Sequence, residues 1–319
     1  MLPFPSIKQF RSAKDYAIHK REKTLSYQGR VKLHGCNAGV VLLVNEEKVQ
    51  YQSRNQILQL GTDNAGFWGE HHKKEMAYLK LFERIKIKCG HEVNENIGIF
   101  GEWCGGNIQK SVALNQLPKM YVIFGIQIDG KFEDLNKYKE IHSNENQIYN
   151  VLQYKTFDIT INMLRPEEKI NEIVAIVEEV EKECPVSKSF GISGVGEGVV
   201  WVCTEFPGDT EYWFKTKGTE HSVTKTKSLI PKDIEKLDRI QDFVETYVTQ
   251  ARLEQGLDWM NEQRIEFTMR NVKDFIKWVQ ADIEKEESDT IKECGFLMKD
   301  VSSAIGKEAV KFYKSKMLS

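Results

Sequence analysis

The sequence changes character at Pro231, and this change limits the chain to a fold built from two unlike parts. The final 88 residues, 232–319, contain no proline, and their apolar residues recur every three or four positions, as in amphipathic helices. The preceding part alternates apolar runs with glycines, prolines and two helical patterns. We therefore expect an α+β fold, with antiparallel sheets and flanking helices over residues 1–229 and a small all-α domain over residues 230–319.

Local patterns predict the strands. Residues 38–44 and 48–54 flank the polar turn at 45–47, which is typical of a β-hairpin. Further strands are predicted over residues 97–104, 119–129, 198–206 and 211–217. The glycine-rich run at 191–198 lacks the GK[ST] ending of a phosphate-binding loop, so we interpret it as a turn that leads into a strand.

Helical periodicity predicts the remaining elements. One helix is expected over residues 71–88 and another from Pro166 to just before Pro185. Their buried faces are expected to carry Met76, Leu79, Phe82 and Ile85 in the first, and Ile170, Ile173, Val174, Val177 and Val180 in the second. Three further stripes fall at 234–247, 272–283 and 305–313. Because His71 and His72 are adjacent, they point apart on a helix, and we expect a solvated pair rather than a metal site.

Bulk properties narrow the class of protein. The net charge is −2 and the isoelectric point is near 6.4, so overall charge does not favour nucleic-acid binding. Only residues 215–232 form a basic stretch, with five lysines against one acid. No apolar run approaches the roughly 20 residues of a membrane-spanning helix, and the N-terminus lacks a signal-peptide pattern. We expect an intracellular monomer, in the cytoplasm of a cell or of a virus-infected host.

Two stretches carry lysines with suggestive neighbours. Lys32 opens "KLHGCNAGV" between two apolar runs, and it becomes a candidate nucleophile if nearby cations or burial favour its neutral amine. In "FKTKG", Lys215 and Lys217 are two positions apart on a predicted strand, so they share one face. Two like charges on one face are costly without an anion, and a polyphosphate would supply one. Solvated surface lysines explain either stretch taken alone.

Two glutamates have apolar and glycine neighbours. Glu102 lies in "FGEWCGG" and Glu197 in "GEGVVWV", surroundings that are uncommon for surface charges. Such carboxylates can accept hydrogen bonds from ribose hydroxyls or hold a hydrated divalent cation. A solvated carboxylate at the end of a strand explains each one taken singly.

Six short motifs in order resemble those of the covalent nucleotidyltransferase superfamily, which contains ATP-dependent ligases and mRNA capping enzymes. They are "KLHGCN" at 32–37, "SRN" at 53–55, "FGEW" at 100–103, "YVIFGIQI" at 121–128, "EGVV" at 197–200 and "FKTKG" at 214–218. Each motif is weak alone, whereas six in order are specific. The resemblance is greatest to the RNA ligases typified by the second RNA ligase of phage T4 and the kinetoplastid RNA-editing ligases. His34 stands where DNA ligases usually carry aspartate. The C-terminal part is predicted to be helical, as in that group, and shows no OB-fold pattern.

The resemblance implies an ATP-dependent RNA ligase with a ligase-type nucleotidyltransferase domain. Such an enzyme uses ATP and Mg²⁺ or Mn²⁺ to join RNA 5′-phosphate and 3′-hydroxyl ends. Lys32 would attack the α-phosphate of ATP to form lysyl–AMP, which would pass to the RNA 5′-phosphate and then be displaced by the 3′-hydroxyl. Lys215 and Lys217 would hold the α-phosphate and stabilise its transition-state charge.

The same resemblance implies roles for the other site residues. His34 and Asn37 would order the phosphates and the leaving group, and Gly35 would allow a close backbone turn. Arg54 would bind phosphate or the RNA end. Three further contacts are implied: Glu102 with the ribose hydroxyls, Phe124 with adenine and Glu197 with the divalent metal.

Two other functions remain compatible with the sequence. A GTP-using capping enzyme has the same core, although it would be expected to carry an OB-fold. A non-catalytic RNA-binding module also fits, although the intact lysines and glutamates count against it. Val31 and Gly125 replace residues that the family often carries as glutamate and aspartate, and these differences bear on substrate preference. The sequence does not distinguish a duplex nick, an RNA–DNA hybrid and a broken single strand as the substrate.

Overall fold

The computed structural model describes residues 1–106, 108, 112–218, 236–293 and 295–318. The chain divides into two compact units, Met1–Gly218 and Thr219–Ser319. The predicted domain boundary between residues 229 and 230 lies outside the described residues, as do three of the five lysines in the basic stretch. In the described ranges, no helix is long and apolar enough to cross a membrane.

Within the described residues, the strands all lie in the first unit. They are β1 (Lys8–Gln9), β2 (Thr24–Lys32), β3 (Cys36–Leu43), β4 (Lys48–Ser53), β5 (Ile57–Leu58), β6 (Asn96–Cys104), β7 (Met120–Ile128), β8 (Lys131–Phe132), β9 (Ile148–Asn150), β10 (Thr156–Asn162), β11 (Gly198–Cys203) and β12 (Phe214–Lys217). Its α-helices are α1 (Phe10–His19), α2 (Phe67–His71), α3 (Glu75–Cys89), α4 (Glu167–Lys182) and α5 (Pro185–Ser189). The expected α+β fold is confirmed.

These strands form two sheets. The five-stranded sheet has the order β1-β12-β11-β2-β10, and the seven-stranded sheet has the order β5-β4-β3-β6-β7-β8 with β9 also paired to β7. Neighbouring strands are antiparallel except for the short pairs β1–β12 and β7–β9, which are parallel. In the edge strand β10, buried and exposed residues alternate, because one face of the strand packs on the core and the other meets water.

The predicted hairpin and the helix before Pro185 are confirmed with small changes. Strands β3 and β4 pair from Ala38–Ser53 to Leu43–Lys48, across a turn in which Glu47 adopts a left-handed conformation. Helix α4 begins one residue after Pro166 and has acidic residues in its first turn. Their negative charges interact favourably with the positive end of the helix dipole. Its buried residues are Ile173, Val177 and Val180, whereas the expected core residues Ile170 and Val174 are exposed.

The expected helix over residues 71–88 differs most from the structure. A short 3-10 helix, His72–Lys74, joins α2 to α3. Met76 is 68% exposed, so the prediction that it lies in the core was wrong. The buried face of α3 consists of Tyr78, Leu81, Phe82 and Ile85. His71 is also fully buried, contrary to the expected solvated pair, and its Nδ1 lies 2.5 Å from the Tyr78 hydroxyl. Burial lowers the pKa of His71 to about 3, so its imidazole is neutral.

The second unit is helical over its described residues. It comprises α6 (Lys236–Tyr247), α7 (Gln250–Glu262), α8 (Val272–Glu293) and α9 (Met298–Leu318). Its separate core includes Phe243, Phe275, Val279 and Ile305, which lie within the predicted apolar stripes. The guanidinium of Arg252 is fully buried and pairs with Asp282 at 2.9 Å and Glu287 at 3.2 Å. A buried cation needs such partners because desolvation is otherwise costly.

Candidate functional site

Three strand ends of the five-stranded sheet bring the predicted site together. Gly198, the first residue of β11, is in register with Lys32 at the end of β2 and with Lys217 at the end of β12. Glu197 directly precedes Gly198, so it enters the space between the two lysines. The Gly198 backbone has a positive φ of +149°, and a side chain there would overlap the carbonyl oxygen of Thr216. Glycine therefore permits the close approach of the strands at this point.

The carboxylate of Glu197 is the centre of a buried ionic cluster. Its Oε2 lies 2.6 Å from Lys32 Nζ and 3.4 Å from His34 Nδ1, and its Oε1 lies 3.2 Å from Lys217 Nζ. Only 2% of the Glu197 side chain is exposed. Burial opposes ionisation, but the charges of Lys32, Lys217 and His34 hold the pKa of Glu197 well below its usual range. These four residues are called the Glu197 cluster below, and its carboxylate is ionised at neutral pH.

Lysine charge dominates the same face of the sheet. Lys215 and Lys217 are two residues apart on β12 and so project to one face. Burial lowers the pKa of Lys217, the charges of Lys32 and Lys215 lower it further, and Glu197 opposes the shift. Lys32, Lys215 and Lys217 thus lie close enough to affect one another electrostatically. Such a site favours a polyanion, because bound phosphate oxygens would relieve the repulsion between the ammonium groups.

Gly35 joins the Glu197 cluster to the seven-stranded sheet. Its backbone N–H donates a 2.9 Å hydrogen bond to Oε1 of Glu102 on β6. A side chain at Gly35 would overlap the carbonyl oxygen of Trp103, so glycine is required for this approach. Asn37 is in register with Glu102 across β3 and β6, and the two side chains therefore lie on the same face of the sheet.

Glu102 has a different electrostatic environment from Glu197. Burial raises its pKa to about 7, and the negative charge of Glu197 adds to this, while Lys32, Arg54 and His34 oppose it. Its ionisation therefore changes near neutral pH. Arg54 itself follows β4 and is exposed, so its charge reaches Glu102 from the solvent side.

Phe124 lies at an irregularity of the second sheet. Phe100 pairs with Gly125 and Gly101 pairs with Ile123, which leaves Phe124 as the extra residue of a bulge in β7. Bulges of this kind redirect a side chain. The ring centroid of Phe124 lies 4.9 Å from that of Phe4, a residue that sequence reasoning did not single out. The half-buried ring thus packs against the N-terminal segment in this structure.

The structure places some of the predicted site residues in direct contact and others only near the site. Ion pairs join Lys32, His34 and Lys217 to Glu197, and a backbone hydrogen bond joins Gly35 to Glu102. Asn37 is linked by strand register, and Arg54 and Lys215 by their electrostatic effects. Phe124 instead belongs to an aromatic group around Phe4.

Sequence reasoning also missed Arg30. The residue is 4% exposed, and its Nε donates a 3.0 Å hydrogen bond to Gln28 Oε1. Burial lowers its pKa to about 10, and the side chain remains charged at neutral pH. Strand alternation could have found it, because Arg30 is two residues before Lys32 on β2 and so shares its face.

Comparison with known proteins identifies the family. The sequence pattern of the RNA ligase family matches residues 25–217, which contain the Glu197 cluster and both sheets' central strands. The chain belongs to the RNA ligase family. A search of curated protein sequences finds no match.

Solved structures of a Naegleria gruberi RNA ligase are similar to part of the chain. A variant bound to AMP and manganese has 15% identity and a TM-score of 0.46, covering 69% of this chain and 59% of that one. The same ligase with pyrophosphate has 16% identity and a TM-score of 0.46, covering 69% and 58%. A variant with ATP and manganese has 16% identity and a TM-score of 0.47, covering 69% and 59%. This chain thus spans less than two thirds of the length of these ligases.

Proposed function

We propose that the protein is an ATP-dependent RNA ligase that seals 5′-phosphate and 3′-hydroxyl RNA ends through lysyl–AMP and adenylylated RNA. Membership of the RNA ligase family supports ligation of RNA in general. The Glu197 cluster carries the proposal for the mechanism, because it holds a lysine amine beside further cations on one sheet face. Assignment to the group typified by the second RNA ligase of phage T4 rests on His34 and the helical second unit.

In the first step, the neutral amine of Lys32 attacks the α-phosphorus of ATP. A P–N bond forms, the P–O bond to pyrophosphate breaks, and the proton released from Nζ passes to solvent. Lys215 and Lys217 bind the α-phosphate oxygens and neutralise the charge that develops on them. The 2.6 Å contact with Glu197 directs the Lys32 side chain, and orientation of a nucleophile favours its attack.

In the later steps, AMP moves from Lys32 to the RNA 5′-phosphate and is finally released. The RNA phosphate oxygen attacks the lysyl–AMP phosphorus, forming a diphosphate bond as the P–N bond breaks. The RNA 3′-hydroxyl then attacks the 5′-phosphate, forming the phosphodiester and releasing AMP. We assign Arg54 to the RNA end or a phosphate, since an exposed guanidinium at the end of β4 can bind oxygens bidentately.

The remaining residues orient the nucleotide. Glu102 accepts from ribose hydroxyls with the oxygen that Gly35 does not use, and Phe124 stacks on adenine. His34 and Asn37 order the phosphates. An intracellular monomer with 1–229 as the adenylylating domain remains our prediction.

A divalent cation fits the site as a partner of Glu197. The described residues contain no group of three or more His, Cys, Asp or Glu side chains able to hold a metal. Mg²⁺ commonly binds through one or two carboxylates and takes its other ligands from water and substrate phosphates. The buried, ionised carboxylate of Glu197 suits Mg²⁺ or Mn²⁺ in this way. When bound, the ion would neutralise phosphate charge.

Labelled nucleotide tests the proposal. Wild-type protein incubated with Mg²⁺ and ATP labelled in the α-phosphate should become covalently labelled, and then seal RNA with 5′-phosphate and 3′-hydroxyl ends. Label from GTP instead would support a capping enzyme. RNA retained on a filter without covalent label would indicate a non-catalytic binding module, and either result would overturn the proposal.

A further inference from the structure

The N-terminal segment touches both sheets of the first unit. At one end, β1 pairs in parallel with β12, placing Lys8 opposite Phe214 and Gln9 opposite Lys215. Lys8 also forms a 2.5 Å ion pair with Glu211. β1 is thus the edge strand beside the strand that carries two of the predicted phosphate-binding lysines.

The other end of the segment is bound to the seven-stranded sheet. The backbone N–H of Leu2 donates to Gln52 Oε1 at 2.9 Å, and Gln52 Nε2 donates to the carbonyl of Leu2 at 2.5 Å. Gln52 lies on β4 and is 1% exposed. Both ends of its buried amide are therefore committed to a single residue, which is a specific attachment rather than an incidental surface contact. Residues 2–9, called the strap below, span from one sheet to the other.

Phe4 lies in the middle of the strap and is 8% exposed. It belongs to a small cluster with Phe100 of the seven-stranded sheet, Val202 of the five-stranded sheet and Trp213. Its ring centroid is 5.3 Å from that of Phe100 and 4.9 Å from that of Phe124. One side chain of the strap thus contacts rings of the seven-stranded sheet, including the aromatic residue assigned to the base. The same cluster also contains a residue of the five-stranded sheet.

This aromatic cluster adjoins the Glu197 cluster. Val200 packs against the aromatic cluster around Phe4 and is half-buried. Val200 lies two residues after Gly198 on β11, and Gly198 is in register with Lys32. Along the strand direction, Val200 is therefore about 7 Å from Lys32, and both side chains lie on the same face of the sheet. Val200 is also in register with Lys215. A group bound at Lys32 and extending toward Phe124 would therefore extend toward Phe4.

We propose that the strap sets the spacing of the two sheets, and that Phe4 is a positioning residue that holds Phe124 against the purine of the bound nucleotide. This inference rests on the proposed function. If Phe4 is removed, Phe124 loses a ring neighbour, and aromatic pairs of this kind depend on close ring contact. Base binding then weakens, while the Glu197 cluster, which contacts the phosphates, keeps its geometry. The effect should appear in KM for ATP rather than in kcat.

Self-adenylylation kinetics of the full chain test this. For Phe4→Ala we expect KM for ATP to rise about tenfold, as for loss of a buried aromatic contact, with the rate at saturating ATP changed less than about threefold. Phe4→Leu should restore part of the loss. Phe190→Ala removes a more exposed aromatic residue of the same unit and should leave KM unchanged. Gln52→Met, which releases the far end of the strap, should raise KM in the same direction even if Phe4→Ala fails to fold.

Direct ATP binding to the same variants, measured by calorimetry with Mg²⁺ present, separates the possible failures. ATP affinity that is equal in wild type, folded Phe4→Ala and Gln52→Met would overturn the role of the strap and leave the proposed function intact. Tighter binding by these variants would also overturn it, because the strap would then exclude nucleotide. Absence of both ATP binding and covalent labelling in the wild type would overturn the proposed function and the strap's role together.

Discussion

Lys32 Nζ donates a 2.6 Å hydrogen bond to Glu197 Oε2, although the two residues are 165 positions apart in the chain. The register of β2, β11 and β12 makes this contact, since Gly198 is opposite both Lys32 and Lys217. The proposed nucleophile is thus held by the carboxylate proposed to bind the metal. The contact serves both the stability of the site and the direction of the lysine.

Replacement of Glu197 should affect stability and activity together. Glu197→Gln removes the carboxylate that contacts Lys32, His34 and Lys217, so the two lysine ammonium groups lose a buried counter-charge. We expect the free energy of unfolding to fall by about 2 kcal/mol or more, and adenylylation to fall by at least about a hundredfold. Denaturant titration and ATP labelling measure the two effects.

Glu179→Gln is the matched control for this change. Glu179 pairs with Lys155 at the surface, where about half of each side chain is exposed. Exposed ion pairs contribute little, so both stability and labelling should stay close to those of the wild type. An equal loss of stability in the two variants would contradict the importance assigned to the buried cluster.

Gly35→Ala should disrupt the junction between the site and β6. The new methyl group would overlap the carbonyl of Trp103 and displace the N–H that bonds Glu102. We expect a loss of about 2 kcal/mol or more in stability, as for other overpacked sites, with adenylylation also impaired. Thermal unfolding and ATP labelling check this. Gly306→Ala in α9, where the nearest atoms are at 3.6 Å, should instead stabilise by up to about 1 kcal/mol, because alanine favours a helix.

Local patterns predicted some elements and missed others for physical reasons. The β3–β4 hairpin depends on a short polar turn between apolar runs, so a single stretch of sequence contains the signal. Burial of His71 depends instead on Phe67 and Trp103, whose rings stack on it at 4.4 Å and lie edge-on at 4.8 Å. Phe67 is four residues before His71 on the same helix, but no local pattern near His71 reports Trp103, which lies on β6.

The sequence likewise predicted the candidate site only in part. Motif order pointed to Lys32 and Glu197, but their pairing depends on strand register across distant segments, which one sequence does not reveal. The bulge at Phe124 and the parallel pairing of β1 with β12 were not predicted either. A bulge changes register by a single residue, and β1 has only two residues, too few to show a period.

Ionisation of Glu102 should make stability depend on pH. Burial raises its pKa from 4.5 to about 7, so the folded protein binds this proton more tightly than the unfolded chain. The stabilisation is present below pH 4.5 and is lost as pH rises through about 7. The wild type should therefore lose stability relative to Glu102→Gln across this window, by at most about 3 kcal/mol. Denaturant titrations at several pH values measure the difference, and parallel curves for the two proteins would contradict the shifted pKa.

Adenylylation should not require the helical unit. All the proposed site residues lie within Met1–Gly218, so a fragment of residues 1–229 should label with ATP but seal RNA poorly. Arg252→Met in the full chain provides a second test, because it leaves Asp282 and Glu287 without their buried partner. It should destabilise the helical unit by about 3 kcal/mol and leave ATP labelling unchanged. Loss of labelling in a folded fragment would refute this prediction.

The position of covalent AMP is the most direct test of the account. Wild-type protein is incubated with ATP and Mg²⁺, digested, and its peptides are analysed by mass spectrometry, with Lys32→Ala and Lys32→Arg treated in parallel. We predict one AMP on Lys32 of the wild type and none on either variant, although both variants remain folded. AMP attached to another residue, or undiminished labelling of folded Lys32→Ala, would contradict the proposal that Lys32 is the nucleophile.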